Sequence, residues 1–120
     1  MKKILIVDDN EFIIEVMTYI LNNKGYEVMA LSNGNEVFDT IKTQQPDLVI
    51  LDDDLPGMAG RDVCQLIKLN RSTQKLPVIM CSGNEDIDDS LKQEGAPNDV
   101  LHKPFDVDVL INKVNIQLAA

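Results

Sequence analysis

One stretch constrains this chain more than any other: Asp47-Leu48-Val49-Ile50-Leu51 runs straight into Asp52-Asp53-Asp54 and then Leu55-Pro56-Gly57. A strand buried on both faces reads as an unbroken apolar run, and a Pro-Gly pair marks its exit into a turn. In open α/β sheets, ligands bind where such strands end, at their carboxyl edge. Three adjacent carboxylates at that edge repel one another unless positive charge lies among them. A hard divalent cation answers that need, since Mg2+ takes oxygen ligands and one or two carboxylates. The plainer alternative is a polar turn, because acidic residues are common in turns.

The rest of the chain supplies strands and helices in alternation. Ile4 to Val7 is a short β-branched run ended by Asp8-Asp9, and reads as a first buried strand. Asn10 suits a helix cap and Glu11 its first turn. Ile13, Val16, Met17, Ile20 and Leu21 follow at helical spacing, and Gly25 closes the helix. Tyr26 to Leu31 predicts a less continuous strand at an edge, Ser32-Asn33-Gly34 a turn, and Val37, Phe38 and Ile41 a second helix stopped by Pro46. After the central strand, Gly60 and Arg61 open a third helix with Val63, Leu66 and Ile67 expected inward. Leu76 to Cys81 predicts a fourth strand ending at Ser82-Gly83. Asp86 to Glu94 predicts an acidic helix anchored only by Ile87 and Leu91, and closed by Gly95. Val100-Leu101 is a short fifth strand before His102-Lys103-Pro104. The last helix uses Val107, Leu110, Ile111, Val114 and Leu118. Five strands alternating with five helices make an α/β domain with a parallel, doubly wound sheet.

With 120 residues the chain fits a single domain with a substantial core. Its net charge of −9 argues against nucleic acid or an anionic membrane as a direct partner, and suits cations and basic protein surfaces. Cys64 and Cys81 both lie inside apolar patterns, which reads as two buried thiols rather than a disulfide framework. The apolar run after Lys2-Lys3 ends at Asp8, too short for a signal core, and no run approaches a membrane span. The expectation is a cytoplasmic protein whose residues 1–120 form one domain, with no output domain in this chain.

The informative pattern is what stands at each strand end: Asp8-Asp9 after the first, Asp52 after the third, Ser82 after the fourth and Lys103 after the fifth. A parallel sheet brings all of them to one edge. Taken singly, Ser82 is a turn hydroxyl and Lys103 a solvated charge. Together they are the parts for phosphoryl transfer onto a carboxylate. Asp52 is then the nucleophile. Mg2+ would be held by Asp8, Asp9 and Asp52, while Ser82 and Lys103 donate to the transferring oxygens. His102, a lone histidine beside a strand end, reads as a surface residue rather than a ligand.

Ile6-Val7-Asp8-Asp9-Asn10, Asp47 to Leu51 followed by Asp52, Leu55-Pro56-Gly57-Met58 with Gly60, Pro77-Val78-Ile79-Met80 with Ser82, and Lys103-Pro104-Phe105 carry a family likeness. Through them the chain resembles, over essentially its full length, the response-regulator receiver domain of bacterial two-component signalling. The resemblance implies a five-stranded sheet in flavodoxin-like order 2-1-3-4-5 with helices on both faces. It implies a phosphoacceptor domain rather than an enzyme, one that assists its own phosphorylation and dephosphorylation. Asp52 would take a phosphoryl group from a phosphohistidine on a sensor histidine kinase or histidine phosphotransfer protein. The signal would then pass to a downstream protein partner or a missing output domain. Asp9, Asp52 and the backbone carbonyl of Asp54 would bind Mg2+, for which Mn2+ can substitute, with Asp8 acting through a metal-bound water. Ser82 would move toward the new phosphate, Lys103 would contact it, and the Lys103-Pro104 peptide would be cis.

The chain departs from that pattern at several positions. Asp53 and Asp54 add acid, Ala59 stands where an acidic residue is common, Gly83 replaces a usual alanine and Pro97 is an extra residue. Val100 occupies the place of the aromatic switch residue. Valine has no ring to swing, so the expected signal is a backbone shift of Ser82 to Leu91. Three rivals share features with this reading. A haloacid-dehalogenase-type phosphatase would match Asp52-x-Asp54, but usually carries that pair on its first strand. A flavodoxin-like cofactor protein would need a Ser/Thr/Gly-rich phosphate loop where Asp8-Asp9-Asn10-Glu11 stands. A pseudo-receiver would normally have lost Asp52, the acidic pair or Lys103.

Overall fold

The computed structural model describes residues 1–119. Five strands form one parallel sheet in the order β2-β1-β3-β4-β5. They are β1 (Lys3–Val7), β2 (Glu27–Leu31), β3 (Leu48–Asp52), β4 (Val78–Ser82) and β5 (Asp99–His102). Between and after them come α1 (Glu11–Asn23), α2 (Val37–Gln44), α3 (Gly60–Leu69), a 3-10 helix (Glu85–Lys92) and α4 (Val107–Leu118). Every residue of β3 and β4 is buried, which is why both read as unbroken apolar runs. β2 lies at the sheet edge and is only partly covered, as its weaker pattern predicts.

Side chains alternate across each strand and so build two cores. Leu5, Val7, Val49, Leu51, Val78, Met80 and Val100 face α2, α3 and the 3-10 helix. Ile4, Ile6, Leu48, Ile50, Ile79, Cys81 and Leu101 face α1 and α4. Cys64 and Cys81 are buried and free, and burial pushes both thiols up to about 12. Asn10 caps α1 by accepting from the backbone N–H groups of Phe12 and Ile13, and Asp106 caps α4 in the same way.

Three expectations need correction. The acidic stretch is a 3-10 helix, with Ile87 and Ser90 buried and Leu91 44% exposed. In 3-10 geometry residues i and i+3 share a face, so Ser90 rather than Leu91 follows Ile87 inward, its hydroxyl satisfied by the Ile87 carbonyl at 2.7 Å. In α3 the buried stripe is Gly60, Val63, Cys64 and Ile67, and Leu66 falls off it at 50% exposure. Val107, the first residue of α4, is also largely exposed; Leu110 and Val114 carry the burial there.

Candidate functional site

The parallel registers put the candidate residues side by side. Val7 pairs with Leu51, so the next residues, Asp8 just past β1 and Asp52 at the end of β3, come side by side. Asp52 pairs with Cys81 and Ser82 with His102, which sets Ser82 and Lys103 at the same edge. Backbone bonds fix these exits: the Asp53 N–H donates to the Cys81 carbonyl at 3.0 Å, and the Lys103 N–H to the Ser82 carbonyl at 2.8 Å. The Lys103-Pro104 peptide is cis. Gly60 allows α3 to start against the end of β3, because a Cβ there would lie 2.0 Å from the Asp52 carbonyl oxygen. Its N–H also donates to the Asp53 carbonyl at 2.8 Å.

Asp8, Asp9 and Asp52 each offer a carboxylate oxygen, all within 4.8 Å of one another. Asp8 and Asp52 are buried and Asp9 is exposed. One ammonium serves both buried acids: Lys103 Nζ donates to Asp8 Oδ2 at 2.8 Å and to Asp52 Oδ1 at 3.3 Å. Asp8 also accepts from the Asn10 N–H at 2.9 Å. Lys103 does not balance the cluster. Burial, then repulsion from Asp8, raises the Asp52 carboxyl from 3.8 to about 6, despite the opposing pull of Lys103. Burial works against the Lys103 charge as well, but its bond to Asp8 and the nearby carboxylates hold it above its ordinary value. Three oxygen ligands carrying surplus negative charge, one of them open to solvent, fit a hard divalent cation.

The next residue has a different environment. Asp53 is 8% exposed and its carboxylate turns to Arg61, which donates Nε to Oδ1 at 3.1 Å and Nη2 to Oδ2 at 3.4 Å. Nη2 also donates to Asp86 at 2.9 Å, and Asn84 Nδ2 donates to Asp53 Oδ2 at 3.2 Å. Burial opposes the Arg61 charge, but Asp53 and Asp86 outweigh it and hold the guanidinium above its ordinary value. These residues, with Asp54, Ala59 and Glu85, line an open cleft of about 680 Å3 beside Asp52.

Asp8, Asp9, Asp52 and Lys103 meet as the sequence predicts. Ser82 is buried at the same edge, its Oγ accepting from the Asn84 N–H at 2.9 Å. Asp54 is exposed at the cleft, with its Oδ2 3.4 Å from Asn84 Nδ2. His102 lies outside the acidic cluster, exposed, with Nε2 2.9 Å from Asp88. Sequence reasoning missed the partnership of Arg61 and Asn84 with Asp53. The signal was present: the repulsion that called for a cation near Asp52 calls equally for a base near Asp53.

Residues 4–115 match the family described as response regulator receiver domain. The chain is 32% identical over 118 residues to the DNA-binding response regulator MtrA of Mycolicibacterium paratuberculosis, which covers 98% of this chain and 51% of that protein. It thus spans about half the length of the curated relatives it matches. The signal receiver domain of a signal transduction histidine kinase from Syntrophus aciditrophicus superposes with a TM-score of 0.90 at 30% identity, over 99% of this chain and 91% of that one. The receiver domain of a Pseudomonas aeruginosa sensor histidine kinase, which holds a magnesium ion in its active site cleft, shares the fold with a TM-score of 0.87 at 24% identity, over 99% of this chain and 98% of that one. Among the described residues, no helix is long and apolar enough to cross a membrane.

Proposed function

Because this chain belongs to the response regulator receiver domain family and serves phosphorelay signalling, we propose that Asp52 is its phosphoryl acceptor. The observation that carries this is the shared ammonium: Lys103 Nζ bridges Asp8 and Asp52 at 2.8 and 3.3 Å, at the carboxyl ends of β1, β3 and β5. An Asp52 oxygen attacks the phosphorus of a phosphohistidine on a sensor kinase or phosphotransfer protein. The P–N bond breaks and the imidazole leaves with its electron pair and takes up a proton. Lys103 stays beside the acceptor and donates to a transferring oxygen. Ser82 moves toward the phosphoryl group and donates to a second oxygen.

Asp8, Asp9 and Asp52, with the backbone carbonyl of Asp54, would hold Mg2+ or Mn2+, which when bound supplies charge neutralisation for the transferring oxygens. Asp54 positions water for the later hydrolysis, since its carboxylate is exposed at the cleft and can accept a proton or hydrogen bond. The phosphorylated face then engages a downstream protein or an output domain. Neither partner is a nucleic acid or membrane contacted directly by this acidic unit.

The test is incubation with a small phosphodonor, with and without Mg2+, followed by intact mass and peptide mapping. One phosphoryl group on the peptide containing Asp52, dependent on the metal, is the expected result. Labelling at full level without a divalent ion, or on another peptide, overturns the assignment.

A further inference from the structure

Asp53 ties the acceptor strand to elements that phosphoryl transfer does not itself use. Arg61, in the first turn of α3, bonds both Asp53 oxygens, at 3.1 and 3.4 Å, and reaches Asp86 at 2.9 Å in the first turn of the 3-10 helix. Asn84 Nδ2 bonds Asp53 at 3.2 Å, while the Asn84 N–H bonds Ser82 Oγ at 2.9 Å. Contacts therefore run without a gap from Arg61 through Asp53 and Asn84 to the Ser82 hydroxyl.

The two ends of the 3-10 segment are held differently. At the far end, Gln93 Nε2 donates to the Arg61 carbonyl at 3.2 Å and Gln65 Nε2 to the Glu94 carbonyl at 3.1 Å. Gly95, at φ +70°, packs so close to α3 that a Cβ would lie 2.9 Å from Gln65 Cα. That end is fixed by close approach of backbones. At the near end, residues 83–86 are all exposed. Among the described residues, Asp86 reaches other elements through its side chain alone, and Asn84 through its side chain and its N–H to Ser82 Oγ. The geometry is a segment anchored at 93–95 and fastened at 84–86.

We infer that Arg61 and Asp53 form a latch that holds the loop from Ser82 to Asp86 in its resting place. The latch must open before Ser82 can swing to a phosphoryl group on Asp52. Arg61 is then a positioning residue: it never touches the phosphoryl group, yet it sets how much of the phosphorylated protein adopts the shifted loop. The inference rests on the reading of Asp52 as acceptor and Ser82 as the hydroxyl that moves. If the shifted loop is the form that binds a phosphoryl mimic well, apparent affinity falls by the fraction of protein that is latched. Loosening the latch therefore tightens mimic binding. Charge alone predicts the reverse, because removing a cation beside the site disfavours an anion.

Arg61→Lys separates the two. It keeps the positive charge but lacks the rigid fork that reaches Asp53 and Asp86 together. The experiment titrates beryllofluoride at saturating Mg2+ into the intact chain, its Arg61→Lys, Arg61→Gln, Asp86→Asn and Asp52→Asn variants, and the Arg61→Gln/Asp86→Asn double variant. Amide shifts of residues 82–86 and the apparent affinity are read, with a melting curve for each protein. Both Arg61 variants are expected to melt lower yet bind the mimic about three- to tenfold more tightly, the size of one to two modest polar contacts. Asp86→Asn is expected to have a smaller effect, not additive with Arg61→Gln because one bridge is being cut. Should Arg61→Gln fail to fold, Arg61→Lys, which retains one contact to Asp53, still decides the outcome. Unchanged or weaker binding by Arg61→Lys, alongside normal binding by the parent and none by Asp52→Asn, overturns the latch alone. A parent that shows no shift, or an Asp52→Asn variant that binds as the parent does, overturns the acceptor reading and the latch with it.

Discussion

Asp52 and Asp53 are neighbours in the chain and are treated in opposite ways. On the Asp52 side two buried carboxylates share one ammonium, with a third carboxylate close by. On the Asp53 side one buried carboxylate has a guanidinium gripping both of its oxygens and an amide donating to it as well. The first arrangement leaves negative charge uncompensated, which suits a cation from solution. The second completes itself from within the chain. An acidic cluster is therefore not one kind of feature. What separates a ligand site from a structural contact is how many fixed positive charges the fold brings to each buried acid.

The two sides share a foundation at Gly60, and removing it should have the largest effect. A methyl group there would sit 2.0 Å from the Asp52 carbonyl and 2.8 Å from Asp53 Cα, so the backbone at the start of α3 or the end of β3 has to shift. Gly60→Ala is expected to cost more than about 4 kcal/mol in urea denaturation, as clashes with fixed backbone do. A loss below about 1 kcal/mol would show that the two elements are not locked together.

The same substitution on the two neighbours should give effects of opposite sign in metal-free protein. A carboxyl raised from 3.8 to about 6 in the fold favours its protonated form there. Its stabilising contribution is complete below about pH 3.8 and is lost as pH rises through about 6. Asp52→Asn removes this dependence and leaves Lys103 its bond to Asp8. The variant should gain on the parent between pH 4 and 6, reaching up to about 3 kcal/mol by pH 7. Asp53→Asn should lose about 1–2 kcal/mol at pH 7, since it weakens a largely buried charged bond to Arg61. A stabilising Asp53→Asn, or an Asp52→Asn whose advantage does not change with pH, would break the contrast.

Much of this contrast was not legible in the sequence, and the reasons are physical. Strands β3 and β4, buried on both faces, show in the sequence as short apolar runs bounded by turn residues, and their ends place Asp52 and Ser82. The pairing of Asp53 with Arg61 crosses a turn and follows no helical or strand period, so Arg61 read only as a helix opener. The acidic 3-10 segment read as an α-helix because Ile87 and Leu91 are four apart. Its true inward pair, Ile87 and Ser90, is hidden because a buried serine looks like a surface one until its hydroxyl is seen bonded to the backbone.

Mg2+ should also act on the two sides differently, with a somewhat smaller effect. A cation that binds only the folded cluster should stabilise the protein by about 2.7 kcal/mol at 100 times its dissociation constant. Asp9→Ala should lose most of that gain, because Asp9 is one of the three residues in the cluster. Arg61→Gln should keep it, because its charge serves Asp53 and Asp86. Melting curves with and without millimolar Mg2+ read both. An Arg61 variant that loses the response would mean that the two sides are a single site.

The most direct measurement places Asp52→Asn and Asp53→Asn side by side in a phosphodonor reaction with Mg2+, read by intact mass. Asp52→Asn should carry no phosphoryl group and Asp53→Asn should carry one, as the parent chain does. Label retained by Asp52→Asn, or lost from a folded Asp53→Asn, would contradict this.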